Sequence, residues 1–185
     1  MDGCLRAVPA GPDGRQVAYL WNGQDEEEFH IRIVRTDGEG TPRIVYRSSR
    51  YAFLEGWMPD GQNLLISRSL EDGTWQIALL SLADGSIRQL KSLQWGGVGA
   101  SLSPDGRYIA YDAPSGEGSA RDIFVLAADG SQETALVRHP ANDYSTIWSP
   151  DGSQVLFVSD RTATPSLWSI SVEDGRSAGE AIIAW

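Results

Sequence analysis

Few residues in this chain could carry out covalent chemistry, and the best placed of them is a serine. The segment Gly175-Arg176-Ser177-Ala178-Gly179 has the Gly-x-Ser-x-Gly spacing that presents a nucleophilic serine on a sharp turn between a strand and a helix. Such a serine works with an Asp and a His that follow it in the chain, and the segment Glu180 to Trp185 contains neither. We therefore expect no catalytic role for Ser177 and a non-enzymatic chain.

Metal and cofactor chemistry has equally little support in the sequence. His30, His139 and Cys4 are the only side chains of their types, and they lie too far apart to give a local ligand spacing. Both histidines are expected at blade edges or in loops, and a solvated loop is the ordinary environment for such a histidine. A single cysteine excludes an intrachain disulfide and leaves the redox compartment open. The sequence predicts neither a metal site nor a cofactor.

Four aspartates recur at a regular interval, each inside a Pro-Asp-Gly phrase. Counted from Asp13 to Asp60, Asp105 and Asp151, the intervals are 47, 45 and 46 residues, which is the period of propeller blades. One carboxylate per repeat without neighbouring oxygen ligands makes a poor calcium site. Proline presets the first turn conformation and glycine supplies the left-handed one, so these phrases predict hairpin turns.

A second turn signal keeps its own register with the first. The pairs Asp37-Gly38, Asp84-Gly85, Asp129-Gly130 and Asp174-Gly175 follow the first aspartate by 24, 24, 24 and 23 residues. Between the turns, side chains such as Val17, Tyr19 and Trp21 alternate as they do on a strand. The pattern predicts four units of four antiparallel strands each, with approximate boundaries at 1–48, 49–92, 93–138 and 139–185.

The predicted strands follow from this register. They are Leu5–Ala10, Gln16–Trp21, Phe29–Arg35 and Arg43–Tyr46; a strand from Phe53, then Leu64–Ser67, Trp75–Leu82 and Ile87–Leu90; Gly99–Leu102, Tyr108–Tyr111, Ile123–Ala127 and Thr134–Val137; Ser145–Trp148, Val155–Val158, Leu167–Val172 and Ala181–Ala184. One such sheet has two apolar faces and cannot bury both alone, whereas stacked sheets bury face against face. The fold class expected is therefore an all-β array of the β-propeller type.

Composition limits the possible partners. The 25 acidic and 15 basic residues give a net charge of −10, which disfavours nucleic acid or an anionic membrane surface as a partner. Apolar runs such as Ile77 to Leu80 are too short to span a bilayer, so a soluble chain is expected. Met1 to Arg6 has neither the basic nor the apolar region of a secretory leader.

The repeats resemble a known family, the WD40-like repeats called PD40. The resemblance rests on Ile147–Gly152 (IWSPDG), Val155–Arg161 (VLFVSDR) and Leu167–Gly175 (LWSISVEDG), with further copies at Leu102–Tyr111 and Asp122–Gly130. Such repeats build the TolB-type propeller and the propeller domains of prolyl-oligopeptidase-like peptidases. The resemblance implies a propeller fold, and it implies a periplasmic location if the chain is TolB-like. It does not identify the compartment or the partner by itself.

Three alternatives remain for how the array of blades closes. The resemblance implies rings of about six to eight blades, and this chain has four. It is an arc of a larger propeller, a four-bladed ring closed by packing of its faces, or an arc that closes by association; the first is favoured. An open arc exposes apolar faces on its terminal blades, which predicts self-association.

Binding residues are expected where the loops vary. In a four-stranded meander the two kinds of Asp-Gly turn share one rim, so the variable loops and blade-to-blade links share the other, and loops on a rigid scaffold tend to carry binding residues. Tyr51, Trp95, Tyr144 and Arg161 fall on that rim and are of the types typical of interaction anchors. The acidic run Asp25 to Glu28 is expected to be a solvated loop, with contact to a basic partner as the alternative.

Three functional hypotheses follow. The leading one is a non-catalytic propeller module that binds a protein or peptide partner through the variable-loop rim. The second is the substrate-gating propeller of a prolyl-oligopeptidase-like peptidase whose hydrolase domain is separate from this segment. The third is a sensor domain of a bacterial kinase or transcription regulator.

Overall fold

The computed structural model describes residues 4–22, 28–94, 99–115 and 120–184, and every regular element within these ranges is a β-strand. The strands form four antiparallel sheets. The sheets divide between two compact units, one ending at Gly96 and the other beginning at Gly97. Within the described ranges, no helix has the length and apolar character needed to cross a membrane.

Unit 1 contains two four-stranded meanders. Sheet 1 consists of β1 (Cys4–Ala10), β2 (Gln16–Asn22), β3 (Phe29–Arg35) and β4 (Arg43–Ser48). Sheet 2 consists of β5 (Ala52–Trp57), β6 (Asn63–Ser69), β7 (Trp75–Ser81) and β8 (Ile87–Leu93). Each strand pairs with the next in sequence, as short hairpin connections require.

Unit 2 repeats this arrangement with one modification. Sheet 3 consists of β9 (Ala100–Leu102), β10 (Tyr108–Pro114), β11 (Arg121–Ala127) and β12 (Glu133–Val137). Sheet 4 consists of β13 (Asp143–Trp148), β14 (Gln154–Ser159), β15 (Ser166–Glu173), β16 (Arg176–Ser177) and β17 (Ile182–Ile183). Both β16 and β17 pair with β15.

The predicted fold class is confirmed, and one predicted strand needs correction. The sequence predicted a single outer strand over Ala181–Ala184 in the fourth unit. The structure divides that outer position between β16, directly after the turn, and β17. Gly179 lies between them with a φ of 138°, a conformation that side-chain-bearing residues rarely adopt, so the chain leaves the sheet edge there and then returns.

Each unit buries the facing sides of its two sheets. In unit 1, Ala18 and Ile31 of sheet 1 pack with Leu64 and Ile66 of sheet 2, all four fully buried. In unit 2, sheet 3 contributes Ala110, Ile123 and Val125, and sheet 4 contributes Trp148, Val155 and Phe157. Alternation along each strand therefore places apolar side chains between the sheets, as predicted for stacked blades.

The Pro-Asp-Gly turns also contact one another. Gly14, Gly61, Gly106 and Gly152 all have φ values between 64° and 73°, the left-handed conformation for which glycine is suited. A Cβ on Gly61 would lie 3.9 Å from the ring of Pro12, and one on Gly152 would lie 3.5 Å from Pro104. The glycine of one turn thus lies over the proline of the preceding turn in both units.

Candidate functional site

Each unit has two chemically different ends. The Pro-Asp-Gly and Asp-Gly turns lie at one end, here named the turn end, because they connect the first strand to the second and the third to the fourth. The loop between the second and third strands, and the link to the next sheet, lie at the other, here named the loop end. We describe the two ends for each unit separately.

The loop end of unit 2 contains an ion pair whose carboxylate is fully buried. Asp143, at the start of β13, has no exposed surface, and its two carboxylate oxygens accept hydrogen bonds of 2.8 and 2.9 Å from Arg161. The Arg161 guanidinium also donates to the Ser159 hydroxyl at 2.8 Å and lies 4.4 Å from the ring centroid of Trp168. Pairing of β13 with β14 brings Asp143 opposite Ser159. The pair fixes the loop after β14 to the first strand of the sheet.

A second buried carboxylate joins sheet 3 to sheet 4. Asp112 on β10 is 4% exposed, pairs with Arg121 on β11 and accepts a 3.2 Å hydrogen bond from the Ser145 amide. Ser145 adopts a φ of 58° within a β-bulge between Tyr144 and Ile147. The bulge turns the Ser145 amide toward Asp112, so an irregularity of β13 serves the contact between sheets.

Further polar contacts tie the loop-end segments together. Asp122 accepts hydrogen bonds from the Ser115 hydroxyl and from the His139 amide, the latter at 3.1 Å. The Asn142 amide and side chain donate to Asp160 at 2.9 and 3.2 Å. These bonds connect the link between sheets 3 and 4 with the loops after β10 and β14.

The electrostatics of this loop end favour a structural role for its charges. Burial raises the pKa of Asp112, and the cation of Arg121 opposes that shift. Asp112 and Asp143 each face a guanidinium within ion-pair distance. The carboxylates of Asp122 and Asp160 each accept a hydrogen bond from a backbone amide. Groups engaged in this way hold loops in position.

The loop end of unit 1 is organised around a histidine, and the prediction for His30 was wrong. His30 was expected at a blade edge or in a loop, but it lies in β3 and is only 3% exposed. It lies 2.9 Å from Arg32 through Nδ1 and 3.4 Å from Glu28 through Nε2. Arg32 is two residues further along β3 and therefore lies on the same face of the sheet. His139 is exposed, as the sequence predicted.

The predicted binding residues fall in different surroundings. Tyr51 of unit 1 is 61% exposed, with its ring 5.2 Å from that of Phe29. In unit 2, Tyr144 is half-buried on β13 opposite Val158, and Arg161 is held by Asp143. Trp95 lies outside the described residues, as do Asp25 to Glu27 of the acidic run.

The buried aspartates of the loop end were missed in the sequence. Asp112 and Asp143 stand beside apolar strand residues, and a charged residue inside an alternating strand pattern is the signal that could have identified them. Their partners lie 9 and 18 residues away in the chain, which no local spacing reveals.

Ser177 lies on β16 and is exposed. The strand-to-helix turn that a nucleophilic serine requires is absent from the described residues, which contain no helix. Among the described residues, no group of three His, Cys, Asp or Glu side chains is placed to hold a metal ion. The geometry around Ser177 is that of a turn-end strand.

The turn end of unit 2 contains a cavity of about 380 Å³ between sheets 3 and 4. Its walls include Tyr108, Trp148 and Val172, together with the carboxylates Asp105, Asp151 and Asp174. A wider and shallower depression bounded by Ser177 and Arg176 adjoins it along Arg107, Tyr108 and Asp174. The sequence analysis expected binding residues on the variable-loop rim, so this cavity was not predicted.

Comparison with known proteins agrees with the repeat pattern. The family model described as the TolB β-propeller domain, PD40, matches residues 11–182. The Tol-Pal system protein TolB of Anaeromyxobacter dehalogenans is 35% identical over 117 residues, which cover 63% of this chain and 26% of that protein. The match therefore spans about a quarter of the length of that relative.

Solved structures share the fold. A TolB candidate from Agrobacterium tumefaciens superposes with a TM-score of 0.77 at 23% identity, covering 99% of this chain and 62% of that one. A puromycin-hydrolysing peptidase of Mycobacterium tuberculosis superposes with a TM-score of 0.72 at 19% identity, covering 97% of this chain and 29% of that one. At these identities the likeness concerns the fold alone.

Proposed function

We propose a binding role for this chain, which belongs to the PD40 family of TolB β-propeller domains: its loop-end segments contact a protein or peptide partner. The observation that carries the proposal is the buried ion pair between Asp143 and Arg161. A buried pair of this kind adds little to net stability compared with apolar packing, but it fixes the segments that carry it in one arrangement. Loops held in this way form a preorganised binding surface.

The contact residues we propose are those that the loop ends leave accessible. Tyr51 has an exposed aromatic ring, and aromatic rings of this kind supply much of the binding energy at protein interfaces. Tyr144 is partly accessible beside the Asp143–Arg161 pair. Arg161 acts in this proposal by positioning the loop. Trp95, which lies outside the described residues, is included from the sequence alone.

The name of the relative in the Tol-Pal system supports a protein as the partner, because that relative functions within a system of proteins. We extend this class of partner to the present chain, together with the periplasmic location that the TolB resemblance implies. The net charge of −10 favours a partner with a basic contact surface over one that is acidic.

The substrate-gating propeller of a peptidase is the second candidate. It is favoured by one observation, the superposition on a puromycin-hydrolysing peptidase with a TM-score of 0.72. The matched segment covers 29% of that peptidase, and the propeller would gate access without supplying the catalytic residues. A sensor role has no separate observation in its favour.

Site-specific photocrosslinking tests the binding role. A photoreactive phenylalanine analogue replaces Tyr51 or Tyr144 in cells that produce the protein, and matched variants carry the analogue at Asp13 or Asp60, exposed positions at the turn end of unit 1. We expect the loop-end positions to give a discrete crosslinked protein that excess unmodified chain suppresses. Equal crosslinking from the turn-end positions of unit 1 would contradict the proposal.

The non-enzymatic part of the proposal has its own test. Purified protein and the Ser177→Ala variant are compared on fluorogenic peptide and ester substrates. We expect no turnover above background in either sample. Hydrolysis that disappears in Ser177→Ala would show that the chain is an enzyme and would overturn this part.

A further inference from the structure

We propose that the turn-end cavity of unit 2 binds the side chain of an arginine or lysine residue presented by a protein partner. This site is separate from the loop ends to which the binding role above was assigned. Three features of the site favour such a ligand: the cavity itself, the charge and hydrogen bonding of its carboxylates, and the apolar walls that lead to them.

The cavity carries an excess of negative charge. Asp105, Asp151 and Asp174 line it, and Arg107 is the basic residue among its lining residues. The Arg107 guanidinium lies 3.7 Å from Asp174 and 4.0 Å from Asp105, both longer than hydrogen bonds, and 62% of the Arg107 side chain is exposed. It donates a 3.2 Å hydrogen bond to the Tyr108 hydroxyl and lies 5.1 Å from the centroid of that ring. One cation, held by Tyr108 and not by a close ion pair, therefore faces three carboxylates, which leaves a site complementary to a second cation.

Asp151 and Asp174 each have a carboxylate oxygen that accepts no hydrogen bond from the described residues. The Oδ1 atom of Asp151 is used inside its own turn, where it accepts hydrogen bonds from Ser149 and Ser153. Within the described part of the chain, Asp151 Oδ2 and both oxygens of Asp174 receive no hydrogen bond. The contacts with Ser149 and Ser153 hold the pKa of Asp151 at about 2, so the group is ionised at neutral pH.

The backbone at Asp174 and Gly175 shapes the opening. Asp174 has a φ of 48°, and its carboxylate is 77% exposed at the mouth of the cavity. Gly175 is buried, and a Cβ there would lie 2.5 Å from Cε1 of Tyr108. The absence of a side chain at Gly175 allows the turn to close against Tyr108 and keeps the carboxylate of the preceding residue at the rim.

The remaining walls suit the stem of a long basic side chain. Pro104, Val172 and the rings of Tyr108 and Trp148 contribute apolar surface to the cavity. Lysine and arginine side chains bury their methylene groups against such surface while the charged head reaches polar groups. A simple metal cation would not use these walls, and a carboxylate ligand would be repelled by the aspartates.

Unit 1 has the same turns, but their carboxylates are hydrogen-bonded within the turn, so they provide matched controls. Asp84 stands in the second Asp-Gly turn of sheet 2, as Asp174 does in sheet 4, but it accepts hydrogen bonds from the Ser86 amide and hydroxyl at 3.0 and 2.7 Å. Asp60 accepts hydrogen bonds from Gln62 and, with its second oxygen, from Asn63. Both carboxylates are thus already engaged within their own turns.

The test uses the peptide acetyl-Gly-Arg-Gly-amide and its citrulline analogue, which keeps the shape of arginine without the charge. Binding to the ¹⁵N-labelled chain is followed by NMR through the amide signals of Gly152 and Gly175. We expect the arginine peptide to shift these two signals in a saturable way and the citrulline peptide to bind at least about fivefold more weakly, because one exposed ion pair is lost. Added salt should weaken the binding.

Three variants at the cavity and two control variants in unit 1 complete the design. Asp151→Asn and Asp174→Asn should each weaken binding of the arginine peptide by about fivefold, while Asp60→Asn and Asp84→Asn leave it unchanged. Asparagine tolerates the positive φ of position 174, so the turn is preserved. Arg107→Ala should strengthen binding, because it removes the competing cation, and an unfolded variant could not produce that result.

Several results would overturn the proposal. These are equal binding of the arginine and citrulline peptides, shifts that map away from Gly152 and Gly175, or equal losses in the variants of both units. Absence of any shift at the highest soluble peptide concentration would also overturn it. Crosslinking from Tyr51 and Tyr144 would be unaffected by these outcomes, so this proposal and the loop-end binding role can fail independently.

Discussion

Removal of the Asp143 carboxylate should destabilise sheet 4 severely. Asp143 is fully buried and both its oxygens are bound to Arg161, whose side chain is 12% exposed. In Asp143→Ala the guanidinium remains in the interior without a counter-charge. Breaking a buried pair by deleting one partner costs about 3 to 5 kcal/mol.

The surroundings of Arg161 place the expected cost near the lower limit of that range. The guanidinium keeps its 2.8 Å hydrogen bond to Ser159 and its position 4.4 Å from the Trp168 ring, which retain part of its stabilisation. We therefore expect a loss of about 3 kcal/mol in the free energy of opening of sheet 4, which corresponds to an equilibrium constant for opening that is about 150-fold larger. The double variant Asp143→Leu, Arg161→Leu should be less destabilised than the single variant, since no charge is left buried.

Native-state hydrogen exchange measures this effect where it arises. Peptides covering β13 to β15 report the protection of sheet 4, and peptides covering β2 and β3 in unit 1 serve as an internal reference. The matched variant is Asp37→Ala, which removes the exposed partner of Arg35 and should change protection little. If Asp143→Ala lowered protection in sheet 4 no more than Asp37→Ala lowers it in sheet 1, the structural role assigned to the ion pair would be refuted.

Two further predictions concern the turn end. Gly175→Ala should lower the free energy of unfolding, measured by urea denaturation, by more than about 2 kcal/mol, because position 175 has a φ of 73° and a Cβ would lie 2.5 Å from Tyr108. The control Gly14→Ala has a φ of 70° but no atom within 4 Å of its Cβ, so it should lower the free energy of unfolding by only about 1 kcal/mol. Equal losses in the two variants would contradict the predicted clash with Tyr108. Folding lowers the pKa of Asp151 to about 2 from an ordinary value of about 3.9, so its contribution to stability is present above pH 4 and is lost as the pH falls toward 2. The fall in melting temperature over that interval should be smaller in Asp151→Asn, and an identical fall would count against the low pKa.

The sheets were predictable because their signals are local. Alternation over a few residues and the chemistry of a two- or three-residue turn are properties of contiguous sequence, and the prediction for Phe29–Arg35 coincides with β3. The outer strand of the fourth unit was predicted in part: Ile182 and Ile183, within the predicted Ala181–Ala184, do pair with β15. The preceding strand β16 was missed because Arg176 and Ser177 pair with β15 through their backbone and are not hydrophobic, so they give no hydrophobic pattern.

The loop-end network was not predictable because its contacts depend on pairing between strands and between sheets. Asp112 reaches the Ser145 amide across 33 residues, through a bulge that no residue type in β13 announces. Arg161 was selected from the sequence as an exposed anchor, yet the register of β13 and β14 supplies it with a buried carboxylate. The turn-end cavity likewise requires the packing of two sheets before its aspartates face a common space.

The position of Gly61 and Gly152 over the proline of the preceding turn has a consequence for how such repeats can evolve or be engineered. In unit 1 the contact joins Gly61 to Pro12, and in unit 2 it joins Gly152 to Pro104, each between one repeat and the next. A side chain substituted at either residue must therefore fit against the neighbouring repeat as well as within its own turn. Repeats of this kind should be exchangeable as whole modules of about 46 residues, provided the proline of one and the glycine of the next are retained together.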